Sequence, residues 1–247
     1  MDDADGYFGE RVAASYDDPT SQEFDPAVVA ATVDVLAGLA GPGRALEFAV
    51  GTGRIALPLV ARGVPVHGID MSRAMVARLC AKPGGDAIGV TFGDFATTRV
   101  PGTFALVYLV WNSLMNVTTQ DEQVAVFANA AAHLSDEGCF VVEIMVPQLR
   151  AVPPGGRGRV FTLEPDHVGV ETFDDEVGQI SWSHHWMTVE DKLVTHSAPY
   201  RYVWPSELDL MAQMAGLRLR DRWDGWTGRP FTSESRQHVS LWEKPAR

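Results

Sequence analysis

Cysteine, positive charge and long apolar runs are all scarce in this chain of 247 residues. Its two cysteines, Cys80 and Cys139, are too few for a disulfide framework, and with no CxxC or Cys/His cluster we expect no metal. Lys and Arg total 20 against 32 Asp and Glu, so the net charge is −12. Such an acidic chain disfavours nucleic acid and anionic membranes as partners.

The longest clean apolar run, at 104–111, is too short to cross a bilayer. The acidic start at 1–10 lacks the basic and then apolar order of a signal peptide. Hydrophobic residues still make up 46% of the chain, which excludes wholesale disorder. We therefore expect a folded cytoplasmic protein with no membrane partner.

What is present is a regular alternation of strand-like and helix-like segments in the first 146 residues. Short apolar runs bounded by turn residues predict strands, and apolar residues at helical spacing predict helices between them. The predicted strands are 45–50, 64–70, 87–94, 104–111 and 138–146, and the predicted helices are 26–39, 55–63, 72–80 and 121–134. Strand–helix units at this spacing are typical of an α/β fold with a doubly wound, mostly parallel sheet.

The pattern changes after Pro147. Four stretches with a period of two residues predict antiparallel strands at 159–164, 167–173, 179–189 and 193–204, with a turn at 190–192 before the last. A helix at 206–217 and strands at 217–223 and 236–244 complete a seven-stranded sheet. We therefore predict a core formed by 1–146 and 205–247, with an antiparallel β-sheet insertion at 147–204 after the fifth strand.

A glycine loop after the first strand carries the strongest functional signal. In the segment LEFAVGTGR, Gly51 and Gly53 let the backbone approach a ligand closely, and the helix that follows offers free amides. Glu47 lies within the first strand, Asp70 ends the second and Asp94 ends the third. Because the carboxyl ends of parallel strands share one edge of the sheet, these three acids favour a cationic ligand without phosphate.

This pattern resembles the class I S-adenosylmethionine-dependent methyltransferases, a family with a Rossmann-like fold. LEFAVGTGR resembles the first motif of the family, IDMS the second, GDF the third and YLVWNSLMNV the fourth. The resemblance implies S-adenosylmethionine as the cofactor and S-adenosylhomocysteine as the product. The chain departs from the family at Ala49, which occupies the first glycine position of the loop. Alanine is tolerable there if its φ is negative, and otherwise the loop must shift.

The resemblance also implies roles for the residues near the cofactor. Asp70 would bind the ribose hydroxyls, Met71 would pack on the adenine, and Asp94 would bind the adenine amino group. Val110, at the end of the fourth strand, would meet the methionine part, and the YDD pattern at 16–18 resembles an N-terminal tyrosine that folds over the cofactor. The implied cofactor-binding set is Tyr16, Glu47, Ala49, Gly51, Gly53, Asp70, Met71, Asp94, Phe95 and Val110.

The sequence says less about the methyl acceptor than about the cofactor. The insertion resembles, in position and predicted topology only, the extra sheet of actinobacterial natural-product and sugar amine methyltransferases. That resemblance implies a small-molecule acceptor of secondary metabolism, methylated on nitrogen or oxygen by in-line displacement. A homodimer is left open.

Position in the chain suggests which residues meet the acceptor. The predicted acceptor-binding set is Trp111, Asn112, His184, Tyr202 and Trp204, with His184 and Asn112 as catalytic candidates. The first two directly follow the fourth strand, and the others lie on aromatic strand faces of the insertion. His184 and His185 are strand neighbours that point to opposite faces, so at most one of them reaches a hydroxyl acceptor as a general base. Each candidate also has an ordinary structural role, as core packing or as a turn cap.

Two other functions fit parts of the sequence. Gly51, Gly53 and Ala56 satisfy the GxGxxA pattern of a nicotinamide-dependent oxidoreductase, although Glu47 beside the phosphates argues against it. A protein that binds S-adenosylmethionine without catalysis is the third hypothesis, prompted by Ala49 alone. Titration with NADH and S-adenosylmethionine tests the oxidoreductase hypothesis. Tight binding of S-adenosylmethionine without formation of S-adenosylhomocysteine across a broad substrate panel would identify a non-catalytic binding protein.

Overall fold

Two β-sheets and six α-helices make up the computed structural model, which describes residues 6–19, 21–189 and 191–245. The helices are α1 (Glu10–Ser15), α2 (Pro26–Ala40), α3 (Ala56–Ala61), α4 (Arg73–Cys80), α5 (Gln120–His133) and α6 (Pro205–Met214). The strands are β1 (Ala45–Phe48), β2 (Val66–Asp70), β3 (Gly89–Phe92), β4 (Phe104–Leu109), β5 (Leu134–Met145), β6 (Gly158–Glu164), β7 (His167–Asp175), β8 (Ile180–Val189), β9 (Lys192–Arg201), β10 (Arg218–Trp223) and β11 (Gln237–Glu243). Within these described ranges, no helix has both the length and the apolar character needed to cross a membrane.

The first sheet has seven strands in the order β10-β11-β5-β4-β1-β2-β3. Strands β1 to β5 pair in parallel, while β11 runs antiparallel to both β5 and β10. The side chains of β4 alternate between two apolar clusters, one on each face of the sheet, which explains its continuous apolar sequence. The predicted doubly wound, mostly parallel sheet is confirmed, and the parallel strands share one carboxyl edge.

Side-chain caps set the starts of two helices that border this edge. Asp25 accepts a hydrogen bond from the Ala27 amide at 2.8 Å and begins α2, and Ser72 accepts one from the Met75 amide at 3.0 Å and begins α4. Asp and Ser are residue types that helices prefer at this position. The sequence does not predict α1, because a helix of six residues carries no apolar periodicity of its own.

The second sheet has four antiparallel strands in the order β6-β7-β8-β9 and confirms the insertion after the fifth strand. In its register Ser181 lies opposite Tyr200, His184 opposite Ser197, and His185 opposite His196. Tyr200, His185 and His196 therefore share one face, and His184 points to the other. The acidic start at 1–5 and Glu190 of the predicted turn lie outside the described residues.

The last strand of the insertion is shorter than its sequence pattern predicts. Strand β9 ends at Arg201, and Trp204 has the extended conformation of a residue that precedes the Pro205 start of α6. The prediction that Tyr202 and Trp204 lie on a strand face is therefore wrong.

A buried ion-pair network joins the end of β9 to the helices of the core. Arg201 is 3% exposed, and its guanidinium donates to Gln123 on α5 at 2.6 Å and to Glu207 on α6 at 2.6 Å. Gln179, just before β8, donates to the same Glu207 carboxylate at 3.0 Å. The network fixes the insertion to the core at the end of β9 and at the residue that precedes β8.

Candidate active site

The glycine loop between β1 and α3 lies at the centre of the carboxyl edge. Ala49 (φ 56°), Gly51 (φ 55°) and Gly53 (φ 80°) all have a left-handed backbone. At Gly53 an added Cβ atom would lie 2.3 Å from Leu79, so only glycine fits. Alanine was expected to be tolerable at this position only with a negative φ, but the φ of Ala49 is positive. The loop keeps a glycine-type turn at a steric cost of roughly 1–2 kcal/mol.

Ala49→Gly is expected to raise the free energy of unfolding by up to about 1 kcal/mol. Loss of the Cβ relieves the strain, and the greater freedom of glycine in the unfolded chain offsets only part of that gain. The matched control is Ala77→Gly on the exposed face of α4, which should destabilise by about 1 kcal/mol. Urea unfolding of the three proteins checks the two signs. Equal destabilisation by both substitutions would show that Ala49 is unstrained.

Asp70 fastens the glycine loop to the end of β2. Its Oδ2 accepts a hydrogen bond from the Gly51 amide at 2.7 Å, and its Oδ1 accepts one from the Ser72 amide at 2.8 Å. The Ser72 hydroxyl in turn donates to the Phe8 carbonyl at 2.7 Å. One carboxylate therefore positions both of the loops that border this part of the edge.

Glu47 lies beneath the glycine loop and is only 2% exposed. The Tyr108 hydroxyl donates to its Oε2 at 2.8 Å, and the Ala56 amide donates to the same carboxyl group. Burial raises the pKa of Glu47 to about 8, against the opposing effects of the Tyr108 hydrogen bond and the Arg54 charge. Burial thus favours the protonated form of Glu47 and weakens the repulsion of phosphate that its charge would cause.

The raised pKa of Glu47 predicts that stability falls as the pH rises. A glutamate in the unfolded chain ionises near 4.5, whereas folded Glu47 keeps its proton up to about 8. The contribution of Glu47 to the free energy of unfolding is fully present below pH 4.5 and is lost as the pH rises through about 8. Between these two values the unfolded chain has released the proton, whereas the folded chain still holds it. Glu47→Gln should flatten this part of the stability profile in urea unfolding, while exposed Glu137→Gln should leave it unchanged. A profile that Glu47→Gln leaves unaltered would contradict the assignment.

Met71, Asp94 and Phe95 lie along the same edge toward β3. Met71 is 57% exposed, which is a high value for a large apolar side chain. Asp94 accepts a hydrogen bond from the Ala96 amide at 2.8 Å, and Phe95 stacks on Phe48 with 5.8 Å between ring centroids. Met71 is thus an exposed apolar group of this edge, while Phe95 packs on the core.

The N-terminal segment covers the glycine loop. Asp17 accepts a hydrogen bond from the Thr52 hydroxyl at 2.6 Å and forms an ion pair with Lys82 at 2.6 Å. The neighbouring Tyr16 is half-buried and lies close enough to Asp70 for the two groups to interact electrostatically. Tyr16, which was expected to fold over the cofactor, therefore lies beside Asp70, which was expected to bind the ribose hydroxyls.

A cavity of about 270 Å³ lies where β4, β5 and β11 meet β6. Its lining includes Trp111, Asn112, Glu143, Arg159 and Arg236, together with three glutamines. Two of these residues, Trp111 and Asn112, are among the predicted acceptor-binding residues. The cavity therefore brings together two of the five predicted acceptor-binding residues.

Glu143 contributes a buried carboxylate to this cavity. It is 5% exposed, and it accepts hydrogen bonds from the Trp226 indole at 2.6 Å and from the Trp111 amide at 2.9 Å. Burial raises the pKa of Glu143, although both hydrogen bonds oppose the shift. Sequence reasoning missed this residue. The available signal was a lone acid within the apolar strand segment FVVEIMV, because a buried charge is costly unless it is paired.

The turn after β4 is strained. Trp111 (φ 52°) and Asn112 (φ 59°) are both left-handed, a conformation that is exceptional for a bulky residue. The Asn112 amide donates to the Glu143 carbonyl at 3.2 Å, and the Asn112 side-chain oxygen accepts from the Met145 amide at 2.7 Å. Strand β5 thus holds the turn in place, and strain of this kind concentrates at functional sites.

Three of the predicted acceptor-binding residues lie apart from this cavity. His184 bonds to the hydroxyl groups of Thr172 at 3.2 Å and Ser197 at 2.8 Å, on the sheet face opposite Tyr200. Tyr202 is buried against Phe173, with 5.8 Å between ring centroids, and Trp204 is 39% exposed at the start of α6. The structure does not bring these three together with Trp111 and Asn112.

Known proteins share this arrangement. A family model described as a methyltransferase domain matches residues 45–138, which contain the glycine loop, Asp70 and Trp111. The CcbJ methyltransferase from Streptomyces caelestis is 31% identical, with 100% of each chain covered and a TM-score of 0.86. This chain belongs to the class I S-adenosylmethionine-dependent methyltransferases.

Two further relatives of this methyltransferase are more distant. The cypemycin N-terminal methyltransferase from a Streptomyces species is 25% identical over 201 residues, which cover 81% of this chain and 82% of that protein. CalS10, an amino pentose methyltransferase from Micromonospora echinaspora with S-adenosylmethionine bound, is 21% identical. The match covers 94% of this chain and 95% of that chain with a TM-score of 0.70, and it shows a shared fold.

Family membership makes S-adenosylmethionine the cofactor and removes the nicotinamide alternative. The residues of this methyltransferase fit that cofactor. Asp70 and Asp94 place carboxylates at two strand ends, and Met71 exposes a thioether between them. Gly51 and Gly53 carry no side chain, so the backbone of the loop can approach a ligand closely.

Proposed function

We propose that this methyltransferase transfers a methyl group to the nitrogen of a small amine in secondary metabolism. The observation that carries the proposal is the buried carboxylate of Glu143 in the cavity beside Trp111. Location in the cytoplasm and assembly as a homodimer remain predictions, and so does the division into a core and an insertion that covers the acceptor.

The cofactor roles implied by the sequence are part of this proposal. Asp70 would bind the ribose hydroxyls, and Met71 would pack on the adenine next to Asp94. Glu47 supports the loop from below through the Ala56 amide. Tyr16 covers the site from the N-terminal segment. The remaining proposed contacts are Ala49, Gly51, Gly53, Phe95 and Val110.

The choice of nitrogen over oxygen follows from the groups in the cavity. A carboxylate pairs well with an amine, since it can hold the ammonium form and receive its proton. A hydroxyl acceptor needs a base, for which histidine is the usual choice. Among the described residues that line the cavity there is no histidine. His184 lies on the far sheet face, so we place the acceptor-facing role on Glu143 instead.

The names of the relatives support the same class of acceptor. The cypemycin enzyme is described as an N-terminal methyltransferase, and CalS10 as an amino pentose methyltransferase. Both descriptions concern nitrogen-bearing natural products. A cavity of about 270 Å³ also suits a small acceptor, or one part of a larger one.

The reaction asks the chain mainly to bind, orient and exclude water. S-adenosylmethionine supplies an electrophilic methyl group on its sulfonium when it is bound. The amine nitrogen would form its new N–C bond to this methyl group, S-adenosylhomocysteine would leave, and the extra proton of the amine would pass to Glu143 and then to solvent. The Trp226 indole and the Trp111 backbone amide would hold that carboxylate in place.

A panel of amines, each paired with the alcohol of the same skeleton, tests the proposal. The purified protein is incubated with S-adenosylmethionine, and S-adenosylhomocysteine and the methylated product are measured. Methylation confined to amines is the expected result. Faster methylation of the alcohols would move the reaction to oxygen. Tight binding of S-adenosylmethionine in calorimetry without turnover of any acceptor would favour the non-catalytic alternative.

A further inference from the structure

Two arginines line the cavity that holds Glu143, in a chain whose net charge is −12. Arg236, just before β11, is exposed and forms no ion pair with any other described residue. Arg159, on β6, pairs with Glu171 through Nε and Nη2, each 2.8 Å from the same carboxylate oxygen. A guanidinium carries five N–H donors, and this pair engages two of those on Arg159.

The strand register separates the backbone of Arg236 from that of Glu143. Glu143 lies opposite Val239, and the Val146 amide donates to the Arg236 carbonyl at 2.8 Å. Arg236 therefore lies three positions further along β5 than Glu143, about 10 Å of strand. Gln237, next to Arg236 in the chain, and Gln148 also line the cavity. Within the cavity, Glu143 therefore lies beside Trp111, and Arg236 lies further along the edge of β5.

We propose that the methyl acceptor is an amine that also carries an anionic group, a carboxylate or a phosphate, and that Arg236 and Arg159 bind this group. The inference rests on the proposed function, because it narrows the amine that the same cavity accepts. Guanidinium groups match the oxygen geometry of carboxylates and phosphates and form charge-assisted hydrogen bonds to them. With the anion at the arginines, the amine end of an extended acceptor points to Glu143.

Matched acceptor pairs test this proposal. One arm compares amino acids with their carboxamides, and the other compares aminoalkyl phosphates with the parent amino alcohols. The anionic members should have a kcat/KM higher by about tenfold or more, mainly through KM, as charge-assisted binding predicts. Arg236→Gln should bring this ratio close to one, while Arg220→Gln, an exposed arginine on β10, should leave it as in the wild type. A ratio near one in the wild type, or a ratio that Arg236→Gln does not change, would overturn the proposal.

A second readout needs no turnover. Phenylglyoxal labels accessible arginines, and mass spectrometry quantifies the label on the peptides that contain Arg236 and Arg220. Sodium phosphate or sodium acetate should protect Arg236 several-fold relative to sodium chloride of equal ionic strength, and should not protect Arg220. Protection without methylation of any amine would refute the proposed function and support the anion site. Amine methylation with neither anion preference nor protection would refute the anion site alone.

Discussion

Glu143→Gln is expected to lower kcat for amine methylation on the order of 100-fold, with the affinity for S-adenosylmethionine nearly unchanged. The glutamine keeps an oxygen for one of the two hydrogen bonds, from Trp226 or Trp111, but cannot take the proton that the amine loses. The wild-type rate should rise with pH through the raised pKa of Glu143, because only the ionised carboxylate accepts the proton. This acidic limb should disappear in the variant.

Trp226→Phe is the control for a purely structural role of Glu143. It removes the indole donor to the carboxylate and leaves the carboxylate in place. The acidic limb of the pH profile should therefore persist in Trp226→Phe, shifted to higher pH because a hydrogen bond that favours the ionised form is lost. A Glu143→Gln enzyme with a wild-type kcat and pH profile would refute the proposed role.

Asp70→Ala is expected to weaken S-adenosylmethionine binding by about 2 kcal/mol, roughly 30-fold in Kd. The substitution removes the proposed ribose ligand and also the acceptor of the Gly51 and Ser72 amides, so the glycine loop loses its attachment to β2. Isothermal titration calorimetry measures the change.

Asp86→Ala, an exposed acid after α4, is the matched control and should bind the cofactor as the wild type does. Asp70→Asn removes only part of the function of this side chain. Its single side-chain oxygen can still accept a hydrogen bond from some of the donors that Asp70 serves, which are the Gly51 and Ser72 amides and the proposed ribose hydroxyls. Its affinity should lie between those of Asp70→Ala and the wild type. Wild-type affinity in Asp70→Ala would refute the ribose assignment.

The core and its cofactor edge could be predicted because their signals are local in the sequence. Burial on both faces gives β4 its continuous apolar run, and caps such as Asp25 and Ser72 adjoin the helices they begin. Asp70 and Asp94 follow strands that the sequence also predicts. The parallel order then brings the strand ends together without further information.

Most of the cavity beside Trp111 could not be predicted in the same way. Glu143, Arg159 and Arg236 come from three further segments, and the antiparallel pairing of β11 with β5 brings Arg236 to the same edge as Glu143. At the end of β9, Arg201 likewise forms an ion pair with Glu207 on α6 and a hydrogen bond with Gln123 on α5, and the strand pattern of β9 shows neither contact. Tertiary contacts of this kind leave no local periodicity in the sequence.

The Arg201 network has a consequence for engineering the range of acceptors. Exchanging residues 147–204 between relatives would be the natural way to graft a new specificity onto this cofactor-binding core. The graft would carry Arg201 and Gln179 with it, but Gln123 and Glu207 belong to the recipient. A chimera that mismatches this set would bury an uncompensated charge at the graft junction. Transplants should therefore exchange all four residues together.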